Sequence, residues 1–548
     1  MTIIPKHAIL LAPLFLAWAA AQTPPAPNPK DEKCSVEGRV VNASGGDPIR
    51  KVSLTLAQSG TPLGATKTET DDNGRFAFRD LDPGRYTLTG EKAGFARQAY
   101  GARSNPSSGS ALILSKGQQT KDLVFKLTPA AVITGRVLDE DGEPVPNAIV
   151  MASKTLYQRG EPQLTPVGTA SANEMGEYRI GGLSAGSYVL AATNRTALSG
   201  LSGSSNKPAG DGPERDYVTT YYPNSVDPTS AVPVQVAAGG ETSASIRLMK
   251  ADTVRVRGKV SGAAEGKQVL LMLMPKSAGS MQQLASGRSA AAKPDGTFEI
   301  AGVTPGGYTL IGISEDPNVF IRFSSQEIQV AKEHLAGVTL GLAAAGELAG
   351  TVTVDGPAPA ALKNMTVTLA APPGAKSIAT PTGPVGEDGR FTLKNVAPAR
   401  YLAQVSGGPE SSYVKSVRLG GQEASDEGFD LAGGAGGPLQ IRLSLAGAEV
   451  TGAVRDADDN PAADATVVLM PDSKRASLYR ETRTGKDGSF SIKGVAPGEY
   501  KALAWEDVET AAYKDPEYLN KVGGKAEALS LKESDKKSVS LKVIPWQP

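Results

Sequence analysis

At 548 residues the chain has room for several domains, and its 62 glycines and 39 prolines suit short strands joined by tight turns better than a helical protein. Basic and acidic residues number 57 each, so the formal net charge is zero. That balance argues against a nucleic-acid partner, which requires a basic surplus on some face.

The chain opens with Lys6 and His7, followed by an apolar run from Ala8 to Ala21. Ala19-Ala20-Ala21 supplies the small residues of a cleavage site before Gln22, so residues 1–21 read as an export signal. The run is too short to span a bilayer well, and no later apolar segment reaches the required length. No transmembrane segment is therefore expected in the mature chain, which carries a net charge of −1. Residues 22–33 (QTPPAPNPKDEK) read as a Pro-rich spacer. Cys34 is the one cysteine, which permits neither an internal disulfide nor a cysteine metal site. Asp31-Glu32-Lys33 before it departs from the small and apolar residues that precede a lipid-anchored cysteine, so a plain structural thiol is expected.

From here the chain repeats. A glycine between apolar or β-branched residues recurs at Gly38, Gly135, Gly258, Gly350 and Gly452, at intervals of 97, 123, 92 and 102 residues. A stricter pattern follows each one. A turn glycine (Gly74, Gly176, Gly296, Gly389, Gly488) is followed two residues later by an aromatic: Phe76, Tyr178, Phe298, Phe391 or Phe490. Leu81, Leu183, Val303, Val396 and Val495 lie five residues after that aromatic, and Tyr86, Tyr188, Tyr308, Tyr401 and Tyr500 five residues later again. Asn-Gly and Asp-Gly supply the positive-φ positions of a tight turn. The alternation that follows, as in Phe76/Phe78 and Phe490/Ile492, is that of a strand with one buried face. Pro-Gly at 83–84, 305–306 and 497–498 makes a second turn. The tyrosine then starts another strand, with its ring in the core and its hydroxyl free to reach a partner at the edge. An early and a late strand complete each repeat, about seven strands in all. The last module holds a short helical piece, Asp515–Lys521.

The run Gly135-Arg136-Val137-Leu138-Asp139-Glu140-Asp141-Gly142-Glu143-Pro144-Val145-Pro146-Asn147-Ala148, with the Gly-x-aromatic and Tyr turns after it, resembles the carboxypeptidase regulatory-like domain family. The likeness extends over residues 34–548 and is strongest in the first, second and fifth repeats. The third lacks the Asp-Gly-Pro turn, and the fourth has Pro398-Ala399 in place of Pro-Gly. The resemblance implies an all-β fold: five tandem seven-stranded Greek-key β-sandwiches, transthyretin-like (prealbumin-like), in a beads-on-a-string array. The expected modules are 34–130, 131–251 with an insertion at 194–233, 252–345, 346–446 and 447–548.

No enzyme site is legible. The mature chain has one histidine, His334, placed in a surface turn, and no H-E-x-x-H motif, so the zinc peptidase that accompanies this domain in some proteins has no counterpart here. Asp456-Ala457-Asp458-Asp459-Asn460 begins like a calcium loop, but Pro461 and Val467 stand where glycine and the final glutamate are needed, so an acidic turn is expected. No Lys–Asn isopeptide triad can be placed in any module. No catalytic, cofactor or metal residue is therefore assigned. Tyr217, Tyr221 and Tyr222 in the insertion, and Trp505 in the last module, are the candidate ligand contacts, since flat exposed rings stack on sugars. The alternative is that the tyrosines pack an extra strand. The resulting expectation is an exported, non-enzymatic binding or scaffold protein, periplasmic, surface-bound or extracellular. The resemblance implies a carbohydrate affinity, with a polysaccharide or cell-envelope component as partner. The alternatives are a structural spacer or adhesin of the envelope, or an accessory subunit of an outer-membrane or secreted enzyme system.

Overall fold

The computed structural model describes residues 33–545, apart from 59–64, 103–108, 159–160, 195–213, 277–286, 317–319, 356–361, 363, 373–379, 426–427, 432–435, 474–475 and 509–510. The expected export signal, nearly all of the spacer, the Gly/Ser-rich half of the insertion and Trp546 lie outside the described residues. Strands make up almost all of the regular structure, and among the described residues α-helix is limited to Pro516–Val522.

One three-strand arrangement recurs five times. Strand Cys34–Asn42 lies between the antiparallel Arg75–Leu81 and the parallel Gln119–Leu127. Ala131–Leu138, Lys250–Ser261, Gly346–Asp355 and Ala448–Arg455 sit in the same way between an aromatic-bearing strand and the closing strand of their repeat. Facing this layer is a second sheet built around the tyrosine strand, such as Gly84–Glu91 against Ser53–Gln58. The two layers enclose five separate hydrophobic cores, running from Cys34 to Leu127, Ala131 to Leu248, Val254 to Leu342, Leu348 to Leu443 and Ala448 to Leu541. In the last of these, Lys536–Ile544 pairs with Ala448–Arg455 and also, at its end, with Gly498–Trp505, which joins the two sheets at a corner.

The odd spacing inside the repeat has a backbone cause. Phe76 and Phe78 alternate inward, and strict alternation would send Leu81 outward. Leu81 is nevertheless buried, because the pairing with Cys34–Asn42 slips between Cys34 and Val36 and Asp80 adopts φ 57°. Gly182, Gly302, Asn395 and Gly494 occupy the same position with φ between 56° and 75°. Each repeat thus carries a bulge at a residue that tolerates the left-handed region, and the bulge turns the strand back onto the core.

The first-strand glycines are fixed by close approach. A Cβ on Gly452 would lie 2.1 Å from the carbonyl oxygen of Val539 and 2.8 Å from the Phe490 ring. Gly38, Gly135, Gly258 and Gly350 face the carbonyls of Leu123, Ala244, Val338 and Leu439 at 2.0–2.4 Å in the same construction. A side chain there would force apart the parallel strand pair that closes the sandwich.

The five repeat tyrosines are all buried, and each hydroxyl donates to the backbone carbonyl four residues earlier. Tyr86 reaches Asp82 at 2.8 Å, Tyr308 reaches Thr304 at 2.8 Å, Tyr401 reaches Ala397 at 3.1 Å and Tyr500 reaches Ala496 at 2.9 Å. Tyr188 bonds Ser184 in the same way. The ring fills core while the hydroxyl pins the preceding turn, which satisfies both ends of the side chain.

Modules touch more than a simple string requires. Strand Glu214–Tyr217 of the second module's insertion pairs with Lys250–Thr253, the start of the third module's first strand. Ser110 of the first module hydrogen-bonds Asp464 of the last, and Tyr157 of the second packs 6.3 Å from Tyr518 of the last.

Candidate functional site

The four candidate rings fall in three settings. Tyr221 is 4% exposed and packs with Met151 and Ala191 on the outer face of the second module's sheet. Tyr222 is half-buried against that module's main core. Tyr217 is also half-buried, with the Lys250 ammonium 4.7 Å from its ring centroid and Asp139 3.5 Å from its hydroxyl. Trp505 is 1% exposed and lies far from these three in sequence. The stacking reading needs open ring faces, and Tyr221 and Trp505 offer none. The reason is local: Thr220–Tyr221 adds a strand beside Gly186–Thr193, while Trp505 is roofed by Val508, Ala512, Tyr513, Leu519 and Val522.

The insertion instead builds a junction. Arg255, on the third module's first strand, is almost fully buried. Its guanidinium donates to Glu214 of the insertion at 2.7 Å and to Glu299 of its own module. Arg257 shares Glu299 at 2.6 Å. The hydrogen bond to Glu214 raises the Arg255 pKa against the opposing effect of burial. Burial pushes Glu299 up, but the hydrogen bonds from Arg257 and Arg255 outweigh it and leave that carboxyl below its usual range. His334 joins the cluster as an acceptor, its Nδ1 3.2 Å from the Arg255 backbone nitrogen. The histidine is thus a brace for the backbone of the first strand.

Around Trp505 a second small core forms on the outer face of the last module. Tyr513 lies 6.2 Å from Trp505 and 6.1 Å from Tyr479 by ring centroid. The Tyr513 hydroxyl donates to Glu481 at 2.7 Å, and burial, with that acceptor, raises its pKa. Lys514 stands 5.1 Å from the centroid of Tyr479. Burial lowers the Lys514 pKa, and the charge of Glu481 opposes that. The Trp505 indole nitrogen is buried without a hydrogen-bond partner among the described residues.

The acidic turn at Asp456 satisfies itself. Asp456 Oδ1 accepts from the backbone nitrogens of Asp458 and Asn460 at 3.0 and 2.9 Å. Asp139 does the same for Asp141 and Glu143, and the Glu143 N–H is the main reason its carboxyl sits below the usual range. Cys34 is buried, with its thiol 3.0 Å from the Ser115 carbonyl. Sequence reasoning missed Arg255, Glu214 and the Tyr479–Tyr513 pair. Their partners lie 41 and 34 residues apart and follow no motif. The strand alternation gave no signal either, because Val254-Arg255-Val256-Arg257 places the valines on the core face and the arginines on the other, where a charged residue is ordinary.

Among known proteins, the carboxypeptidase regulatory-like domain family matches at residues 35–128, 132–202 and 449–514. These are the first, second and fifth repeats, where the turns are most complete. No curated protein matches the chain. Solved structures with a likeness include GBS52, a minor pilin of Streptococcus agalactiae, at 14% identity and a TM-score of 0.22, covering 40% of this chain and 96% of that one. The major pilin subunit BcpA of Bacillus cereus shows 10% identity and a TM-score of 0.15, covering 57% and 99%. Two B repeat units of the Staphylococcus aureus collagen-binding protein show 15% identity and a TM-score of 0.13, covering 76% and 100%. Scores this low leave the placement of the chain to the family match and to its own β architecture. On those two grounds the chain carries carboxypeptidase regulatory-like domains in tandem, at three regions matched by the family.

Proposed function

We propose that the chain is an exported, non-enzymatic scaffold of the cell envelope, with modules at 34–130, 131–251, 252–345, 346–446 and 447–548. The observation that carries this reading is the structural use of every repeated residue. The five tyrosine hydroxyls bind their own turns, and the five glycines admit a closing strand. His334 and the acidic turns likewise hold backbone groups. Ion pairs and strand pairing across module borders favour a spacer that keeps its parts in register. A carbohydrate affinity belongs to the same reading only through Tyr217 and Tyr222, the two candidate rings that keep part of their surface toward solvent.

The test is a fractionation of cells expressing the tagged full chain or the chain without residues 1–21. The full chain should appear outside the cytoplasm and the truncated one inside. Affinity electrophoresis against a polysaccharide panel, with Tyr222→Ala beside wild type, separates a sugar binder from a spacer. Retention of the tag in the cytoplasm for both forms would overturn the export reading.

A further inference from the structure

The fourth module departs from the other four at one sheet edge. In every module the strand that starts near the repeat tyrosine pairs on one side with the early strand. In the third module its other side is covered along its whole length, with Gly306–Asp316 against Phe320–Val330. The first, second and fifth modules cover it in two pieces each. In the fourth, among the described residues, Arg400–Ser406 is paired on that side only at Arg400 and Tyr401, by Phe429–Asp430. Among the described residues, Leu402 to Val405 have no strand beyond them. The next strand, Tyr413–Leu419, has crossed to the other sheet and pairs with Leu439–Ser444.

The core beneath this edge is correspondingly open. Leu88, Leu190 and Leu310 lie two residues after their tyrosines and are fully buried. The equivalent residue here is Ala403, which is partly exposed, as are Val405, Val414, Val417 and Ala424. These side chains pack against the fourth core without being covered by it. They line a cleft of about 430 Å³ that is bounded on its far side by Ser477–Arg480 of the last module. Arg480 donates to the carbonyls of Ser477 at 2.8 Å and Tyr479 at 3.1 Å and has no carboxylate partner among the described residues.

We propose that this slot binds an extended peptide segment of another protein by strand addition along Leu402–Val405. Unpaired backbone N–H and C=O groups at a sheet edge recognise a strand through main-chain hydrogen bonds, and the pockets between them select alternate side chains. Ala403, Val405, Val414 and Val417 call for small or β-branched apolar residues at every second position. Arg480 calls for one acidic residue or a terminal carboxylate at the end of the segment nearest the last module. The proposal concerns a surface that the scaffold reading leaves unused, and it stands or falls independently of export.

The test pans a phage-displayed random dodecapeptide library on the full chain. Enriched peptides should alternate apolar and polar residues and carry an acid. They should bind saturably by fluorescence anisotropy and slow amide exchange in Leu402–Val405. Methylating alternate backbone nitrogens of the best peptide should weaken binding at least tenfold, because side chains are kept and strand pairing is lost. Ala403→Leu installs the residue that fills this position in three sister modules, so it should fold and bind at least tenfold more weakly. Glutamine for the peptide's acid should cost roughly threefold. If no alternating pattern is enriched, if N-methylation has no effect, or if Ala403→Leu binds as wild type does, the proposal is wrong.

Discussion

Arg255 of the third module and Glu214 of the second module's insertion meet at 2.7 Å in a nearly buried ion pair, beside the strand pairing that joins the two modules. The arginine side chain is 4% exposed and the glutamate 25%, so the pair is shielded from solvent more than an ordinary surface bridge. Replacing Arg255 by Met leaves Glu214 without its guanidinium, while Glu299 keeps Arg257. The expected loss is about 2–3 kcal/mol, less than for a fully buried pair because both acids retain some solvent. Thermal unfolding of Arg255→Met should show an earlier transition, and amide exchange should quicken at 214–217 and 250–255.

Acid should loosen the same junction. Glu299 has its pKa lowered in the folded chain, so its contribution is present above the ordinary carboxylate range. It is lost as pH falls through the depressed folded value. Exchange protection at 250–255 measured between pH 6 and pH 3, taken as roughly spanning the carboxylate range, should fall with acid. In Glu299→Gln the contribution is already missing, and the acid dependence should flatten.

Each repeat tyrosine serves two roles that substitutions separate. Tyr500→Phe keeps the ring and removes the bond to Ala496, at an expected cost of about 1–2 kcal/mol for the carbonyl left unpaired. Tyr500→Ala removes the ring as well and should cost about 3–5 kcal/mol. Calorimetry gives the magnitudes, and exchange mapping should confine the loss to the core between Ala448 and Leu541.

Gly452→Ala tests the closing strand pair. The added methyl meets a backbone carbonyl and a packed ring, neither of which can yield cheaply. A destabilisation of about 2–3 kcal/mol is expected, the upper range for overpacking. Gly46, with open space around it but φ 76°, is the control, and alanine there should cost less.

Trp505→Phe should be close to neutral in unfolding experiments. The indole nitrogen it removes is buried without a partner among the described residues, and the gain from deleting it offsets the smaller ring. A loss above about 3 kcal/mol, as for large aromatic truncations, would mean that the ring's contacts with Tyr513 dominate.

The repeat was legible because its residues act within one turn or one strand. Turn glycine, inward aromatic and corner tyrosine are local devices, and their fixed spacing exposed them. The bulge explains the spacing of five that alternation alone does not, and its signature was present as Asp80, Gly182, Gly302, Asn395 and Gly494. What stayed hidden depends on residues distant in the chain. Nothing in a single strand tells Arg255 that Glu214 is its neighbour, or shows that Trp505 will be roofed by Tyr513. The loss of Pro-Gly at Pro398-Ala399 was visible, yet the open edge that follows it becomes apparent only when the route of Tyr413–Leu419 is known.

The parallel pairing of first and last strands sets how the array answers a pull on its ends. In Cys34–Asn42 beside Gln119–Leu127, the chain enters at one pole of the sandwich and leaves at the other. Tension then runs along the two strands in opposite directions, and their hydrogen bonds are loaded in shear rather than peeled one after another. All five modules present this arrangement in series. A tether anchored at one end and gripped at the other would first part the contacts that the last module makes with the first two, then hold until a whole ladder ruptured at once and lengthen abruptly by one module.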